Sequence, residues 1–197
     1  RSTITAQAAD LQAKEVDITA GNENLNGRIS RHTDRGKAKI THQNGVQARE
    51  HQSGSSETYQ ATRIQAEQFD MNISGNLNIV GTDIQAKNSN IRGGNVHLGA
   101  EKTVNLREHS KNQSKGSWYR NEQESSRVET THRTTIAGDS VNIEATKGKV
   151  TTEGAKVSAK TTAIYGEQGV NLRGAKATTT QTARAEFKNE TARLKTG

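Results

Sequence analysis

The sequence contains no cysteine and no proline. The absence of cysteine excludes disulfide bonds, zinc–thiolate sites and thiol nucleophiles. Proline cannot donate a backbone hydrogen bond to a sheet ladder, so a chain without proline can pair continuously along both edges of every strand. Disordered tails are usually enriched in proline, and its absence therefore argues against a wholly unfolded chain.

Large apolar side chains are also scarce. Leu, Ile, Val and Phe together account for 31 of the 197 residues, and Phe, Trp and Tyr together for six. That content is low enough for an unfolded chain if the net charge is high, but the net charge is only +7. No apolar run is long enough to span a membrane. The chain starts at Arg1 without a recognisable signal peptide, and we expect it to be a segment of a longer protein.

The apolar residues that are present come in pairs separated by one residue. Side chains i and i+2 of a strand lie on the same face, so this pattern predicts short strands with one buried face. Clusters of glycine, asparagine and lysine between the pairs indicate turns. The pairs are Val16/Ile18, Phe69/Met71, Leu77/Ile79, Val96/Leu98, Val104/Leu106, Val141/Ile143 and Val170/Leu172.

These apolar positions recur about every 20 residues, as in Leu77 and Val96, Ile84 and Val104, and Val150 and Val170. Stacked coils of that length, about 4.8 Å apart, bury only a thin column of inward side chains. We therefore predict an all-β fold, a right-handed parallel β-helix with polar extruded hairpins or loops. The alternative is an antiparallel β-sandwich, which is expected to show turns about every 8–12 residues and more aromatic side chains.

A longer repeat runs over these coils. Residues 57–71 align with residues 129–143 at an offset of 72, and the V-N-L-R of 104–107 recurs at 170–173, an offset of 66. We interpret the change of offset as a six-residue deletion near residues 75–80. Self-similarity at a long period predicts an array of structural repeats.

The array is interrupted by segments that are poor in large aliphatic residues. Asn44-Gly45 in the first predicts a tight hairpin turn, and the second carries the only Trp. Disordered loops are the alternative for both. The predicted organisation is a partial repeat at 1–20, a polar arm or hairpin at 21–56, a repeat block at 57–106, a polar arm at 107–128, a repeat block at 129–175 and the start of the next polar segment at 176–197. The predicted core comprises Ile84, Ile91, Val104, Leu106, Ile136, Val141, Ile143, Val150, Val157, Val170 and Leu172.

The second arm carries a candidate contact site. An exposed Trp-Tyr pair among cations has the composition of an interfacial anchor, in which rings settle at headgroup level and cations meet anionic groups. In the alternative, Trp118 folds back and caps the β-column. The predicted contact residues are Trp118, Tyr119, Arg120, Lys115, Lys111 and Arg127, with Arg107 beside them.

Signals for catalysis are missing from the sequence. A polysaccharide-cleaving β-helix needs clustered carboxylates, yet none of the six Asp residues falls in a D-x-D or D-D pair. The six His residues lack metal-ligand spacing, and no phosphate loop or nucleophile elbow is present. We predict a non-enzymatic chain without metal or cofactor. The pI of about 9.7 permits nucleic-acid binding, but the cations are spread along the chain. We expect anionic surfaces as partners instead.

The alternation of blocks like 135–172 with a Ser/Glu/Arg/Thr segment of the 117–132 kind resembles the haemagglutinin-repeat region of filamentous haemagglutinins and contact-dependent growth-inhibition exoproteins. The resemblance is good over 57–197 and partial over 1–20. At 62–73, Gln65-Ala66-Glu67 departs from the Ala-Gly of the family pattern. The residues that match that pattern are Thr135, Ile136, Ala137, Gly138, Val141, Ile143 and Ala145.

The resemblance implies a long exoprotein that a partner outer-membrane transporter exports from a Gram-negative cell by two-partner secretion. Its shaft serves adhesion or carries a toxin to a neighbouring cell. We therefore expect a secreted, cell-surface repeat segment with further chain stacked at both ends. Expected partners are an anionic glycan, lipopolysaccharide or the outer membrane of a target cell, and no nucleic acid. The alternative function is a polysaccharide-binding or polysaccharide-cleaving β-helix.

Overall fold

The computed structural model describes the backbone of residues 3–7 and 10–188, and the side chains of residues 10–188. Every regular element in that part of the chain is a strand, which confirms the all-β prediction. None of the described residues belongs to a helix with the length and apolar character of a membrane span. The strands are β1 (Thr3–Gln7), β2 (Asp10–Gln12), β3 (Glu15–Ala20), β4 (Asn22–Asn26), β5 (Arg28–Asp34), β6 (Lys39–Gln43), β7 (Val46–Gln60), β8 (Thr62–Val80), β9 (Thr82–Lys115), β10 (Trp118–Arg133), β11 (Thr135–Ala145), β12 (Val150–Glu153), β13 (Lys156–Gly166), β14 (Val170–Arg173) and β15 (Thr179–Lys188).

The chain alternates between two compact units, and long strands such as β9 contribute to both. We call the first the layer unit, because its strands stack in parallel, and the second the arm unit, because its strands pair antiparallel. The layer unit comprises Arg1–Ser30, Thr58–Thr103 and Thr130–Ala177, and the arm unit comprises Arg31–Glu57, Val104–Glu129 and Thr178–Gly197.

Three rows of parallel strands build the layer unit. In the first row Ile64 pairs with Ile84, Ile84 with Ile136 and Ile136 with Val157. A second row is formed by the following residues of the same strands, and a third row contains β4, β12 and β14. One pass through the three rows is a layer of about 20 residues. The layers are 10–26, 62–80, 82–99, 134–153 and 156–173.

The core of the layer unit is formed by the inward side chains of these rows. Isoleucine stacks on isoleucine in the first row, and the row partners Ile64, Ile84 and Ile136 are all 0% exposed. Buried threonines satisfy the backbone where one layer passes into the next. Thr82 Oγ1 donates to Leu25 O at 3.0 Å, and Thr134 Oγ1 lies 2.7 Å from Gly99 O. Buried polar groups of this kind are tolerated because they are hydrogen-bonded.

The burial of the predicted core residues is uneven. Val104 and Val157 are partly buried. Leu106, Val170 and Leu172 are 37%, 43% and 64% exposed, so their placement in the core was wrong. Leu106 lies in the arm unit, and Val170 and Leu172 lie in β14, over which no further described layer packs. The predicted core residues that are buried are Ile84, Ile91, Ile136, Val141, Ile143 and Val150.

The offset of 66 residues was also wrong. Ile84 is the row partner of Ile136, whereas Val150 is the row partner of Val96. Equivalent positions of successive repeats are 72 residues apart from Ile64 to Ile136 and stay within two residues of that spacing elsewhere. No deletion is therefore needed. The V-N-L-R at 104–107 starts an arm, whereas the same letters at 170–173 form β14.

The predicted start of the first arm at residue 21 does not match the structure. β4 (Asn22–Asn26) belongs to the third row of the layer unit, in register with β8. Leu25 is 1% exposed and supplies the inward side chain of that strand. A single leucine among polar residues was too weak a signal for strand periodicity, because a two-residue pattern needs at least two apolar positions.

The arm unit is an antiparallel sheet. Along the chain, an outgoing strand leads from the layer unit into the arm unit, and a returning strand leads back into the layer unit. β6 returns as β7 through Asn44 and Gly45, with φ of 52° and 74°, which confirms the predicted tight hairpin turn. β7 then pairs with the outgoing part of β9, from Ser55 opposite Leu106 to Gln47 opposite Ser114. β9 neighbours β10, and β10 pairs with β15. Residues 107–128 therefore form parts of β9 and β10, joined by a turn, and not a disordered loop.

Candidate contact surface

Strand β10 positions the aromatic residues of the predicted contact site. Side chains alternate between the two faces of a strand, so Trp118 and Arg120 lie on one face and Tyr119 and Arg127 on the other. The pairing with β15 places Arg120 opposite Phe187. The structure therefore separates the Trp-Tyr pair that the sequence placed together, and the six predicted contact residues do not form one patch.

Trp118 instead packs against an aromatic residue that sequence reasoning missed. Its ring meets the ring of Phe187 edge to face, with centroids 6.0 Å apart and an interplanar angle of 73°. Trp118 is half-buried, and Phe187 is 62% exposed. Phe187 lies 72 residues after Lys115, which ends the outgoing part of β9. The repeat offset of 72, applied to Lys115, would therefore have placed Phe187 at the end of the next outgoing strand. We call Trp118, Arg120 and Phe187 the aromatic patch.

Most cations of the predicted site have partners within the arm unit. Arg127 Nη2 lies 2.7 Å from Glu129 Oε1, and Arg120 forms an ion pair with Glu122. Lys115 Nζ donates to Asn44 O at 3.0 Å, across the tips of neighbouring hairpins. Exposed ion pairs contribute little to stability, with a median of about 0–1 kcal/mol. These cations are therefore only weakly held and stay accessible to an anionic ligand.

Lys111 lies opposite Glu50 on the neighbouring strand β7. His109 Nε2 lies 2.8 Å from Glu50 Oε1. The hydrogen bond from His109, with the positive charges of His109 and Lys111, holds the pKa of the Glu50 carboxyl below its usual value. This acidic and basic row was not predicted, because the residues involved are more than 50 positions apart in the chain.

A polar groove crosses four strands of the arm unit. Its cavity has a volume of about 390 Å³. Hydroxyl groups line it beside two imidazoles, two carboxylates and a guanidinium, which together can donate and accept hydrogen bonds. Ser53 Oγ contacts Glu108 Oε2 at 3.4 Å. The lining residues are His51, Ser53, Glu108, His109, Ser110, Gln123, Glu124, Ser125, Thr182 and Arg184.

Hydrogen bonds of Glu57 join neighbouring strands at the base of the first arm. Its Oε1 accepts a hydrogen bond from Arg31 Nε at 2.8 Å, and its Oε2 accepts one from the Val104 backbone N–H at 2.7 Å. The Glu57 N–H donates to Asn105 Oδ1 at 3.1 Å. The Arg31 hydrogen bond, followed by that from Val104, holds the pKa of the Glu57 carboxyl below its usual value. Glu129 occupies the equivalent position of the next repeat, 72 residues later.

A metal site built from protein side chains needs several His, Asp or Glu residues close together. Within residues 10–188, no three His, Asp or Glu side chains come together in such a group. Three histidines instead contact single side chains: His97 Nδ1 lies 3.0 Å from Thr151 Oγ1, and His109 and His132 lie near Glu50 and Thr103. The arm unit presents hydrogen-bonding groups, ion pairs and the aromatic patch.

The model of the hemagglutinin repeat family matches residues 116–197. The match starts at the turn between β9 and β10 and covers a returning strand, two layers and the outgoing strand β15, which together make one period of the repeat. Residues 116–197 are a filamentous-haemagglutinin-type repeat region. The predicted resemblance is thereby confirmed over residues 116–197. A comparison with curated proteins found no match, and a comparison with solved structures found none.

Proposed function

We propose that this chain is a non-enzymatic segment of a secreted filament on the surface of a Gram-negative bacterium. The hemagglutinin repeat at 116–197 is the observation that carries the proposal. In it, the layer unit forms a right-handed parallel β-helix that serves as a shaft. The parallel registers, repeated at about 20 residues in three rows, support that geometry.

Two-partner secretion through an outer-membrane transporter is the proposed route of export. A chain without cysteine and proline suits it, because an unfolded chain then neither cross-links nor waits for slow prolyl isomerisation. Folding by stacking of layers, each on its predecessor, also suits vectorial export, since a repeat array can nucleate at one end and propagate.

The arm unit is the proposed contact element, acting in adhesion or in contact-dependent toxin delivery to a neighbouring cell. The aromatic patch supports this role, because Phe187 is largely exposed and Arg120 lies beside it. Aromatic rings and arginine side chains together suit the headgroup region of a membrane or an anionic glycan. The proposed partner is the anionic outer surface of a Gram-negative cell, made of lipopolysaccharide, glycan or acidic lipid.

Binding of the fluorescently labelled chain to Gram-negative cells tests the proposal. The expected result is saturable binding that weakens as salt is raised, because screening acts on exposed charges. Phe187→Ala and Trp118→Ala should each weaken binding about tenfold, equal to about 1.4 kcal/mol. Tyr165→Ala is the matched control, since Tyr165 is an exposed aromatic residue of the layer unit. Equal loss in all three variants, or no binding at low salt, contradicts the proposal.

The second candidate function is polysaccharide binding in the polar groove. It is favoured by the hydroxyl and charged side chains that four neighbouring strands of the arm unit contribute to the groove. Arg184→Ala and Gln123→Ala should then weaken binding of an acidic polysaccharide and leave cell binding through the aromatic patch unchanged. Reducing-sugar release by the wild-type chain would instead support the polysaccharide-cleaving alternative.

A further inference from the structure

The inward side chains of the layer unit do not distinguish one layer from the next. In the first row Ile84 lies in register with an isoleucine on each side, Ile64 and Ile136. A misfolded stack in which layer 134–153 packs directly on layer 62–80, with layer 82–99 left out, would still place isoleucine on isoleucine. Misassembly is a characteristic failure of repeat proteins. The correct order of layers therefore needs a signal outside the core.

Charged side chains supply such a signal at the bend between the first and second rows. The strand residues on both sides of this bend are in register in all five layers, so the residues at the bend occupy equivalent positions. The charge at this position alternates in sign from each layer to the next. We call the five residues the charge column: Lys14, Glu67, Lys87, Asp139 and Lys160.

Neighbours in the charge column form ion pairs within each repeat. Lys87 Nζ lies 3.5 Å from Glu67 Oε1, and Lys160 Nζ lies 2.9 Å from Asp139 Oδ1. In both pairs the carboxylate belongs to the first layer of the repeat and the ammonium group to the second. A shorter column at the start of the first row also alternates in sign over three layers, in the order Asp10, Arg63 and Asp83.

An alternating column discriminates between neighbours even though each exposed pair stabilises the fold little. If layer 82–99 is left out, Asp139 lies beside Glu67. If layer 134–153 is left out, Lys160 lies beside Lys87. Each error loses an attraction and gains a repulsion, so the two effects add in the difference between the correct and the incorrect stack. Omission of two successive layers restores opposite charges, so the column rejects errors of one layer.

We propose that the charge column is a register device, by which each layer selects the layer next to it in the sequence and rejects the one after it as the layer unit folds. The apolar rows drive stacking of any layer on any other, and the column sets the order. Asp139 has the central place in this account, because it must be opposite in charge to Lys87 and Lys160 and equal in charge to Glu67.

A cysteine pair that can cross-link only in the misfolded stack tests the proposal. Gln65 and Ala137 are the register partners of Gln85 on its two sides. In the correct stack they are two strand spacings, about 9.6 Å, apart, beyond the Cα separation of about 4.4–6.8 Å that a disulfide requires. Omission of layer 82–99 makes them neighbours. The whole chain with Gln65→Cys/Ala137→Cys is refolded from urea under a short oxidation pulse, and non-reducing peptide mapping measures the cross-linked fraction.

Asp139→Lys, added to this pair, should raise the cross-linked fraction about tenfold, about 1.4 kcal/mol by the standard conversion. It removes the repulsion from Glu67 in the misfolded stack and adds repulsion in the correct one. Asp139→Asn should give a smaller rise, and high salt should reduce both rises. Glu124→Lys is the matched control, because it makes the same change of charge in the arm unit, outside the layers. It should leave the cross-linked fraction unchanged.

Inversion of the whole column separates the sign pattern from a purely structural role of Asp139. The inverted column restores alternation, so the cross-linked fraction should return to the level seen with the native column. The proposal is overturned if Asp139→Lys causes no rise, if Glu124→Lys causes an equal rise, or if the inverted column leaves the fraction high. The five substitutions are Lys14→Glu, Glu67→Lys, Lys87→Glu, Asp139→Lys and Lys160→Glu.

Discussion

The ring of Tyr59 stacks on the imidazole of His132, with centroids 4.2 Å apart and planes inclined by 19°. The two residues lie where the chain enters the layer unit after its first and second arms. The Tyr59 hydroxyl donates to Gly81 O, and His132 Nε2 lies 2.9 Å from Thr103 Oγ1. The stacked pair therefore links the two positions at which the chain enters the layer unit. Through the Tyr59 hydroxyl it also contacts Gly81, in the turn between layers 62–80 and 82–99.

Gly81→Ala is predicted to destabilise the protein through this contact. A Cβ at Gly81 would lie 1.8 Å from Tyr59 Oη, and the residue has φ of +59°. Gly116→Ala is a matched control, because Gly116 has the same φ and nothing within 4 Å of the added atom. We expect Gly116→Ala to cost about 1–2 kcal/mol for the backbone alone and Gly81→Ala to cost more in urea denaturation. Tyr59→Ala should remove the excess, and an excess that persists in the double variant contradicts the contact.

Stability is predicted to fall in mild acid because of His132. Burial, opposed by the negative charge of Glu101, lowers the pKa of His132 below its ordinary value of 6.5. The unfolded chain therefore binds a proton at a higher pH than the folded chain. The contribution to stability is complete above about pH 6.5 and is lost as the pH falls through the folded pKa. Melting temperatures of wild type and His132→Phe should converge between pH 7.5 and pH 5, and a constant difference would rule this mechanism out.

Truncation of Ile143 is predicted to cost far more than truncation of Leu172. Ile143 is 0% exposed between its row partners Ile91 and Ile164, whereas Leu172 is 64% exposed. Ile143→Ala should cost about 2–5 kcal/mol, and Leu172→Ala should stay within about 0.5 kcal/mol in dilute protein. Chemical denaturation measures both. In an array the loss acts first on adjacent layers, so hydrogen exchange should quicken near Ile91 and Ile164. Equal costs for the two variants would mean that Ile143 is not in a core.

Ser89→Ala is predicted to stabilise the protein. Ser89 is buried between its row partners Phe69 and Val141, and its Oγ has no hydrogen-bond partner among the described residues. Removal of the hydroxyl should recover up to about 1 kcal/mol of desolvation cost. Thr134→Val is the isosteric comparison. It removes the donor that contacts Gly99 O and should cost about 1–2 kcal/mol. Denaturation midpoints that shift in the same direction for both variants would contradict this reading.

The spacing between row partners could be predicted from the sequence, because the inward side chains that define it are apolar and recur at that spacing. Leu77 and Val96, and Val150 and Val170, are row partners as their spacing predicted. The 20-residue spacing of Ile84 and Val104 was misleading, because Val104 begins an arm. An apolar-x-apolar pair indicates a strand but does not distinguish a strand of the layer unit from one of the arm unit.

The contact surface was harder to foresee. Trp118 and Tyr119 are adjacent in sequence, but strand geometry places adjacent side chains on opposite faces. The partner of Trp118 is Phe187, and their contact depends on the register of β10 and β15. Register between distant antiparallel strands is set by turns and packing along the intervening chain, and no local pattern reports it.

The stacking register of the layers is the central claim, and an engineered disulfide tests it most directly. The chain has no cysteine of its own. The oxidation state of an introduced cysteine pair can therefore be measured without interference from other thiols. Asn88 and Ser140 are register partners on the parallel strands β9 and β11. Neighbouring strands lie about 4.8 Å apart, within the Cα separation of about 4.4–6.8 Å that a disulfide requires.

The measurement is thiol titration with intact mass after mild oxidation of Asn88→Cys/Ser140→Cys. Asn88→Cys/Glu144→Cys is the control, because Glu144 is the partner of Arg92, four residues or about 13 Å along the strand from Asn88. We predict a complete intramolecular disulfide in the first variant and free thiols in the second. Free thiols in the first variant, or equal oxidation of both, would contradict the stacked parallel register.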